Sequence, residues 1–158
     1  KEDGYGKGRG GGMHIADFNL GHLGANAIVG GSYAMAVGAA MASDKLKQGR
    51  VCLWIVGEGA ANDGIGNEAH NFASMEQFDE GCPVIFLIEN NQYGMTGQQV
   101  GEVTGIQRLA RRGAGYNEDN MNAEVVNGMD PLAVRDAVAR ASQKCRSGEG
   151  PVLLECLT

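Results

Sequence analysis

Glu58 and the Asn90-Asn91 pair are the residues whose types and spacing best suit chemistry. Glu58 lies in GEGAANDG, residues 57–64, directly after the apolar run VCLWIV. Asn90 and Asn91 lie in ENNQYGM, directly after PVIFLI. At both places an apolar run stops at a polar turn. Glycine lets a backbone turn sharply and come close to a bound group. The start of a following helix favours an anion such as phosphate. A carboxylate at the same spot repels phosphate unless a cation lies between them. The Glu58 carboxylate, the Asn91 side-chain amide and a backbone carbonyl near Tyr93 make an all-oxygen set. Mg²⁺ suits it, with few protein ligands and the rest from phosphate and water; Ca²⁺ is the alternative. The competing account makes Glu58 a helix N-cap and Asn90-Asn91 a plain turn.

These residues need strands and a helix to hold them. Residues 51–56 read as a strand buried on both faces, and 83–88 as a second. Between them the pattern predicts a helix capped by Asn62 or Asp63. Ala69, Phe72, Ala73 and Glu76 share one side of it, and Asp79-Glu80-Gly81 ends it. Strand, helix, strand with short connections is a right-handed parallel unit. The Gly57 and Asn91 ends therefore share the carboxyl edge of the sheet, where open α/β folds bind ligands. Upstream, Ser32 is expected to cap an Ala/Met-rich helix from Tyr33 to about Lys47, buried all round and stopped at Gly49. Met35, Met41 and Met75 are assigned to the core. Downstream come a short helix at 106–112, a strand at 124–126 and a helix capped by Asp130 with Pro131 first. Leu132, Val134, Ala137, Val138 and Ala141 mark its apolar side. A third strand spans 151–157. The fold class is α/β, a parallel sheet with helices on both faces, in one domain over 1–158. No regular element is expected before Ala27.

Composition narrows the function classes. The 158 residues carry a net charge of −6. That balance argues against nucleic acid and anionic membrane as partners. No apolar run approaches the roughly 20 residues that span a bilayer, and no signal peptide is visible. The four cysteines form no CxxC pair; Cys52 and Cys156 read as reduced, buried thiols of a reducing compartment. The three histidines lack metal-ligand spacing. His22 is expected in solvent and His70 packed in its helix. Arg108, Arg111 and Arg112 are expected on a solvated face. No GxSxG nucleophile motif is present.

GEGAAND…ENNQYGM resembles the thiamine-diphosphate signature that begins Gly-Asp-Gly and ends Asn-Asn. GKGRGGGMHIAD, LGANAIVGG, GEGAANDG, ENNQYGM, NGMDPLAV and RSGEGPVLLECLT are similar, in order, to blocks of one subunit type. It is the alpha subunit of the thiamine-diphosphate-dependent component of 2-oxo acid (pyruvate-type) or acetoin dehydrogenase complexes. The resemblance implies a thiamine-diphosphate-binding fold and the cofactors thiamine diphosphate and Mg²⁺. It implies Glu58, Asn91 and the Tyr93 carbonyl as metal ligands. Gly57, Gly59 and Ala60 match the backbone around the diphosphate; Ala27 and Val29 match positions beside the aminopyrimidine. Residues 1–26, rich in glycine, become a loop on the cofactor side, and His14 within it becomes a candidate contact to substrate or cofactor.

The implied activity is oxidative decarboxylation of a 2-oxo acid such as pyruvate, or cleavage of acetoin, with acyl transfer to lipoamide. The implied partners are a beta subunit supplying the activating glutamate, in a heterotetramer, and the lipoyl-bearing acyltransferase. The implied location is the cytoplasm or the mitochondrial matrix. The MHIAD and LGANAIVGG wording leans to the acetoin or pyruvate type over the branched-chain type. Four departures stand out. Glu58 replaces an aspartate, the interval from Glu58 to Asn91 is a few residues long near 79–82, Ala27 replaces a glycine, and the family's N- and C-terminal parts are expected to be missing. Two other readings remain: a catalytically impaired or regulatory fragment, and a phosphate-binding α/β module without thiamine chemistry.

Overall fold

A computed structural model describes residues 3–9, 11–75, 81–116 and 122–158. In chain order these form α1 (Tyr33–Lys45), β1 (Cys52–Gly57), α2 (Gly64–Ala73) and β2 (Val84–Asn90). The two-residue strands β3 (Tyr93–Gly94) and β4 (Gly97–Gln98) follow, then β5 (Ala123–Asn127), α3 (Pro131–Arg146) and β6 (Val152–Leu157). Four strands make one parallel sheet in the order β1-β2-β6-β5, and β3-β4 is a separate antiparallel ribbon. The register sets Gly57 opposite Glu89 and Asn90 opposite Leu157. The carboxyl ends of the three strands are thereby level.

Alternation along β2 explains the two cores. Val84, Phe86 and Ile88 face α1 and α2, while Ile85 and Leu87 face α3. All five are buried, as a central parallel strand requires. On the first face the Tyr33 ring lies on Trp54, with centroids 3.6 Å apart. A Cβ at Gly66 would come 2.9 Å from the Tyr33 ring, so glycine there lets the first turn of α2 abut α1. On the second face Ala137, Ala141 and Cys145 of α3 pack against β5 and β6. Asp130 accepts from the Leu132 and Ala133 N–H groups with Pro131 at the first turn, as expected of that cap. Burial pushes the Cys82 and Cys145 thiols up to about 12.

Several local expectations differ from the structure. Ser32 does not cap α1; its hydroxyl accepts from the Trp54 indole N–H at 2.8 Å instead. Helix α1 ends at Lys45, short of Gly49. β1 is not buried on both faces, because α3 packs over β2, β6 and β5 and leaves the same face of β1 uncovered among the described residues. Leu53 and Ile55, on the α3 side, are exposed. Met35, Phe72, Met75 and Leu132 are exposed as well. Helix α2 stops at Ala73; Glu76, Asp79 and Glu80 lie outside the described residues. The segment before Ala27 is not wholly irregular. It carries 3-10 turns at Gly12–His14 and Phe18–Leu20, the second capped by the Asp17 carboxyl. The segment placed at 106–112 is a 3-10 stretch, Leu109–Gly115.

Candidate cofactor and metal site

Glu58 follows directly on β1. Its side chain is 1% exposed, and its Oε1 makes no hydrogen bond among the described residues. A buried acceptor without a donor is unfavourable by about 1–3 kcal/mol. It is therefore a position that a cation would stabilise. Glu58 does not cap α2: the cap position belongs to Asp63, whose side chain makes no capping bond. The Asp63 Oδ2 is likewise buried and unbonded. A single oxygen-bearing side chain with an open coordination shell fits Mg²⁺, which keeps most of its shell for phosphate and water. Among the described residues no three His, Cys, Asp or Glu side chains cluster to cage a metal. The ligand set drawn from the sequence has one carboxylate and two neutral oxygens, and needs no such cluster.

The loop bearing Glu58 is held from outside. Asn62 Nδ2 donates to the carbonyls of Glu58 and Gly59, both at 3.2 Å, and to Val103 O at 3.0 Å. Arg112 donates to Ala61 O at 2.8 Å and to Asn62 Oδ1 at 2.6 Å. Arg112 is thus not on a solvated face. Asn62 and Arg112 brace this candidate site, a place that the sequence reading did not give them. Arginine's planar fork, which can bind two acceptors at once, is the physical reason one residue can grip this turn.

The second loop meets the first. A Cβ at Gly59 would lie 3.7 Å from both Gly94 Cα and the Val103 side chain. Gly59 and Gly94 therefore sit face to face. Asn91 is exposed, and its Oδ1 accepts from the Tyr93 N–H at 2.9 Å. The Tyr93 ring is exposed. Gln92 between them holds φ +69°, an uncommon conformation for a residue with a side chain. Its N–H donates to Asn90 Oδ1 at 3.0 Å and its carbonyl accepts from Gln99 N.

The remaining candidates lie as follows. Gly57 ends β1, and a Cβ added there would meet nothing within 4 Å. Ala60 opens the 3-10 turn Ala60–Asn62. Ala27 and Val29 are exposed, on a segment whose next residue, Gly30, packs on the Asp63 carboxyl. The 27–30 segment therefore reaches the far end of GEGAAND. His14 is exposed on its own turn; no described contact joins it to these loops. His70 is buried in α2, its Nδ1–H donating to Gly66 O at 2.7 Å. It is a packed histidine, stacked on Tyr116 with centroids 5.2 Å apart.

Comparison with known proteins identifies the family. The chain is 39% identical, over its whole length, to the alpha subunit of acetoin:2,6-dichlorophenolindophenol oxidoreductase of Bacillus subtilis (strain 168), covering 45% of that protein. It is 41% identical over 98% of its length to the mitochondrial pyruvate dehydrogenase E1 component subunit alpha of Dictyostelium discoideum, covering 38% of it. It is 38% identical over its whole length to the testis-specific form of that subunit from Rattus norvegicus, covering 37%. The chain thus spans about two fifths of the length of the curated relatives it matches. The model of the dehydrogenase E1 component family matches residues 1–158. With its parallel sheet and level strand ends, the chain belongs to the dehydrogenase E1 component family.

Proposed function

We propose that the chain is the cofactor-anchoring part of an alpha subunit. With a beta partner, it takes part in oxidative decarboxylation of a 2-oxo acid such as pyruvate, or in acetoin cleavage, with acyl transfer to lipoamide. The family is thiamine-diphosphate dependent. The observation that carries the reading is the buried, unbonded Glu58 Oε1, beside a loop that presents Asn91. When bound, the cofactor supplies a carbanion that attacks a carbonyl carbon. The residues of this chain act by holding it. Glu58, the Asn91 amide and the Tyr93 carbonyl would hold Mg²⁺, which would supply positive charge to offset that of the diphosphate. Gly57, Gly59 and Ala60 offer backbone without bulk beside that group. Ala27 and Val29 are assigned to the aminopyrimidine side, and His14 to a contact with substrate or cofactor. The beta subunit, the lipoyl-bearing acyltransferase and the choice between pyruvate and acetoin are proposals on the same footing. Four free cysteines, three of them buried, support a reducing compartment such as the cytoplasm or mitochondrial matrix.

The test is calorimetric titration of the full-length protein with thiamine diphosphate, with and without Mg²⁺, alone and with a beta-type partner. Mg²⁺-dependent binding is expected. Absence of binding in every arm overturns the reading.

A further inference from the structure

Glu155 is the only acidic residue in the strand VLLECL, and it is fully buried. Apolar neighbours surround it along β6: Leu153, Leu154 and Cys156 are buried too. A carboxyl group in such a place is costly unless fully hydrogen-bonded. Glu155 is so bonded. Its Oε1 accepts from Asn90 Nδ2 at 2.7 Å, and its Oε2 from the Ala110 backbone N–H at 2.8 Å.

Each bond leads to one of the two loops at the site. Asn90 immediately precedes Asn91. Its Oδ1 holds the Gln92 N–H, and its Nδ2 also reaches Gln99 Oε1 at 3.2 Å. Gln99 is buried and donates in turn to Thr104 Oγ1 and to the carbonyls of Ile106 and Gln107. The strained Gln92 turn that displays Asn91 is thus anchored on Glu155. On the other side, Ala110 lies in the stretch that carries Arg112. Arg112 grips Ala61 and Asn62, and Asn62 holds the Glu58 carbonyl. One buried carboxyl group links the backbone of Glu58 to that of Asn91.

Resting on the reading above, we propose that Glu155 is a positioning residue that sets the separation of the Glu58 and Asn91 loops for Mg²⁺. Mg²⁺ demands near-ideal octahedral geometry at about 2.0–2.1 Å and tolerates misplaced ligands poorly. A buried ionisable group adds little net stability over an apolar residue of similar volume. The benefit of Glu155 is therefore in geometry, as with the partners that orient metal ligands elsewhere.

The experiment measures thiamine diphosphate affinity of the full-length protein with its partner as a function of Mg²⁺ concentration. Wild type, Glu155→Gln, Asn90→Ser and Val152→Ala are compared, with unfolding temperatures in the absence of cofactor. Glu155→Gln sets a side-chain amide against donors. Asn90→Ser keeps an acceptor near the Gln92 N–H and removes the donor to Glu155. Both are expected to raise the half-saturating Mg²⁺ concentration by about 10- to 100-fold. Val152→Ala, in the α3-side core of the same strand, is expected to lower the unfolding temperature and leave the Mg²⁺ requirement unchanged. If wild type shows no Mg²⁺-dependent binding, the underlying function fails. If wild type binds and either Glu155→Gln or Asn90→Ser keeps the wild-type Mg²⁺ requirement, the positioning role is overturned.

Discussion

Arg112 Nη2 donates to Asn62 Oδ1 at 2.6 Å across 50 residues of sequence. This bond joins a 3-10 stretch to the turn after β1, and it fixes where Glu58 stands. A charge-assisted hydrogen bond contributes about 1.5–3 kcal/mol. Arg112→Ala is therefore expected to weaken thiamine diphosphate binding about tenfold or more, through the loosened turn. Arg112→Lys should recover little, since an ammonium cannot span both acceptors in one plane. Titration of the three proteins under saturating Mg²⁺ checks this; full recovery by lysine would contradict the two-acceptor account.

Removing the Glu58 charge should separate stability from function. Glu58→Gln places a neutral amide of the same length where the buried, unbonded carboxyl oxygen stands. It is expected to hold cofactor-free stability, since a neutral group is less costly to bury than a carboxylate, while abolishing the stabilisation that Mg²⁺ and cofactor together confer. Glu58→Asp draws the carboxylate back by one methylene and is expected to tighten Mg²⁺-dependent binding. Thermal melts with and without ligands report both. Equal Mg²⁺ affinity for wild type and Glu58→Asp would remove Glu58 from the ligand set.

Much of this was legible in the chain itself. Six-residue apolar runs ending at GEG and ENN announce parallel strands with a ligand edge, because strands buried in a sheet need no polar alternation. The helix after Asp130 was legible for a similar reason, since its cap and its Pro131 are local chemistry. Tertiary partners were not. Ser32 precedes a helix as caps do, yet Trp54 takes its hydroxyl. Arg112 sits among three arginines, and only the fold brings Asn62 beneath it. Glu155 did carry a signal that went unread: a lone acid in an apolar strand asks for buried donors. The open face of β1 was hidden because Leu53 and Ile55 look the same whether covered or bare.

Gly30 offers a backbone test. It holds φ +75°, and a Cβ there would overlap Asp63 Oδ2. A side chain in this conformation costs roughly 1–2 kcal/mol, before the overlap is counted. Gly30→Ala is expected to lower stability by more than that and to weaken cofactor binding. Adding Asp63→Gly should recover the overlap and leave the backbone cost. Denaturant unfolding of the single and double variants separates the two; no recovery in the double variant would place the whole effect in the backbone.

His70 should make stability depend on pH. Burial is the main cause lowering its pKa, the nearby Arg112 lowers it further, and the bond to Gly66 O opposes both. The unfolded chain therefore takes up the proton at higher pH than the folded one. The stability contributed by neutral His70 is complete above about pH 6.5, the ordinary histidine value. It is lost as pH falls from there through the folded value. His70→Phe, between Phe86 and Tyr116, is expected to flatten unfolding free energy between pH 7 and pH 5. An unchanged slope would assign the acid sensitivity elsewhere.

The bare side of β1 has a practical consequence. Leu53 and Ile55 point outward from a strand whose outer backbone groups find no ladder partner among the described strands. An open strand edge beside an exposed apolar face invites another strand to add to it. Residues 1–158 expressed by themselves are therefore prone to self-association that grows with protein concentration, and light scattering would register it before any ligand is added. Such clumping would mask a weak cofactor affinity as a loss of binding sites.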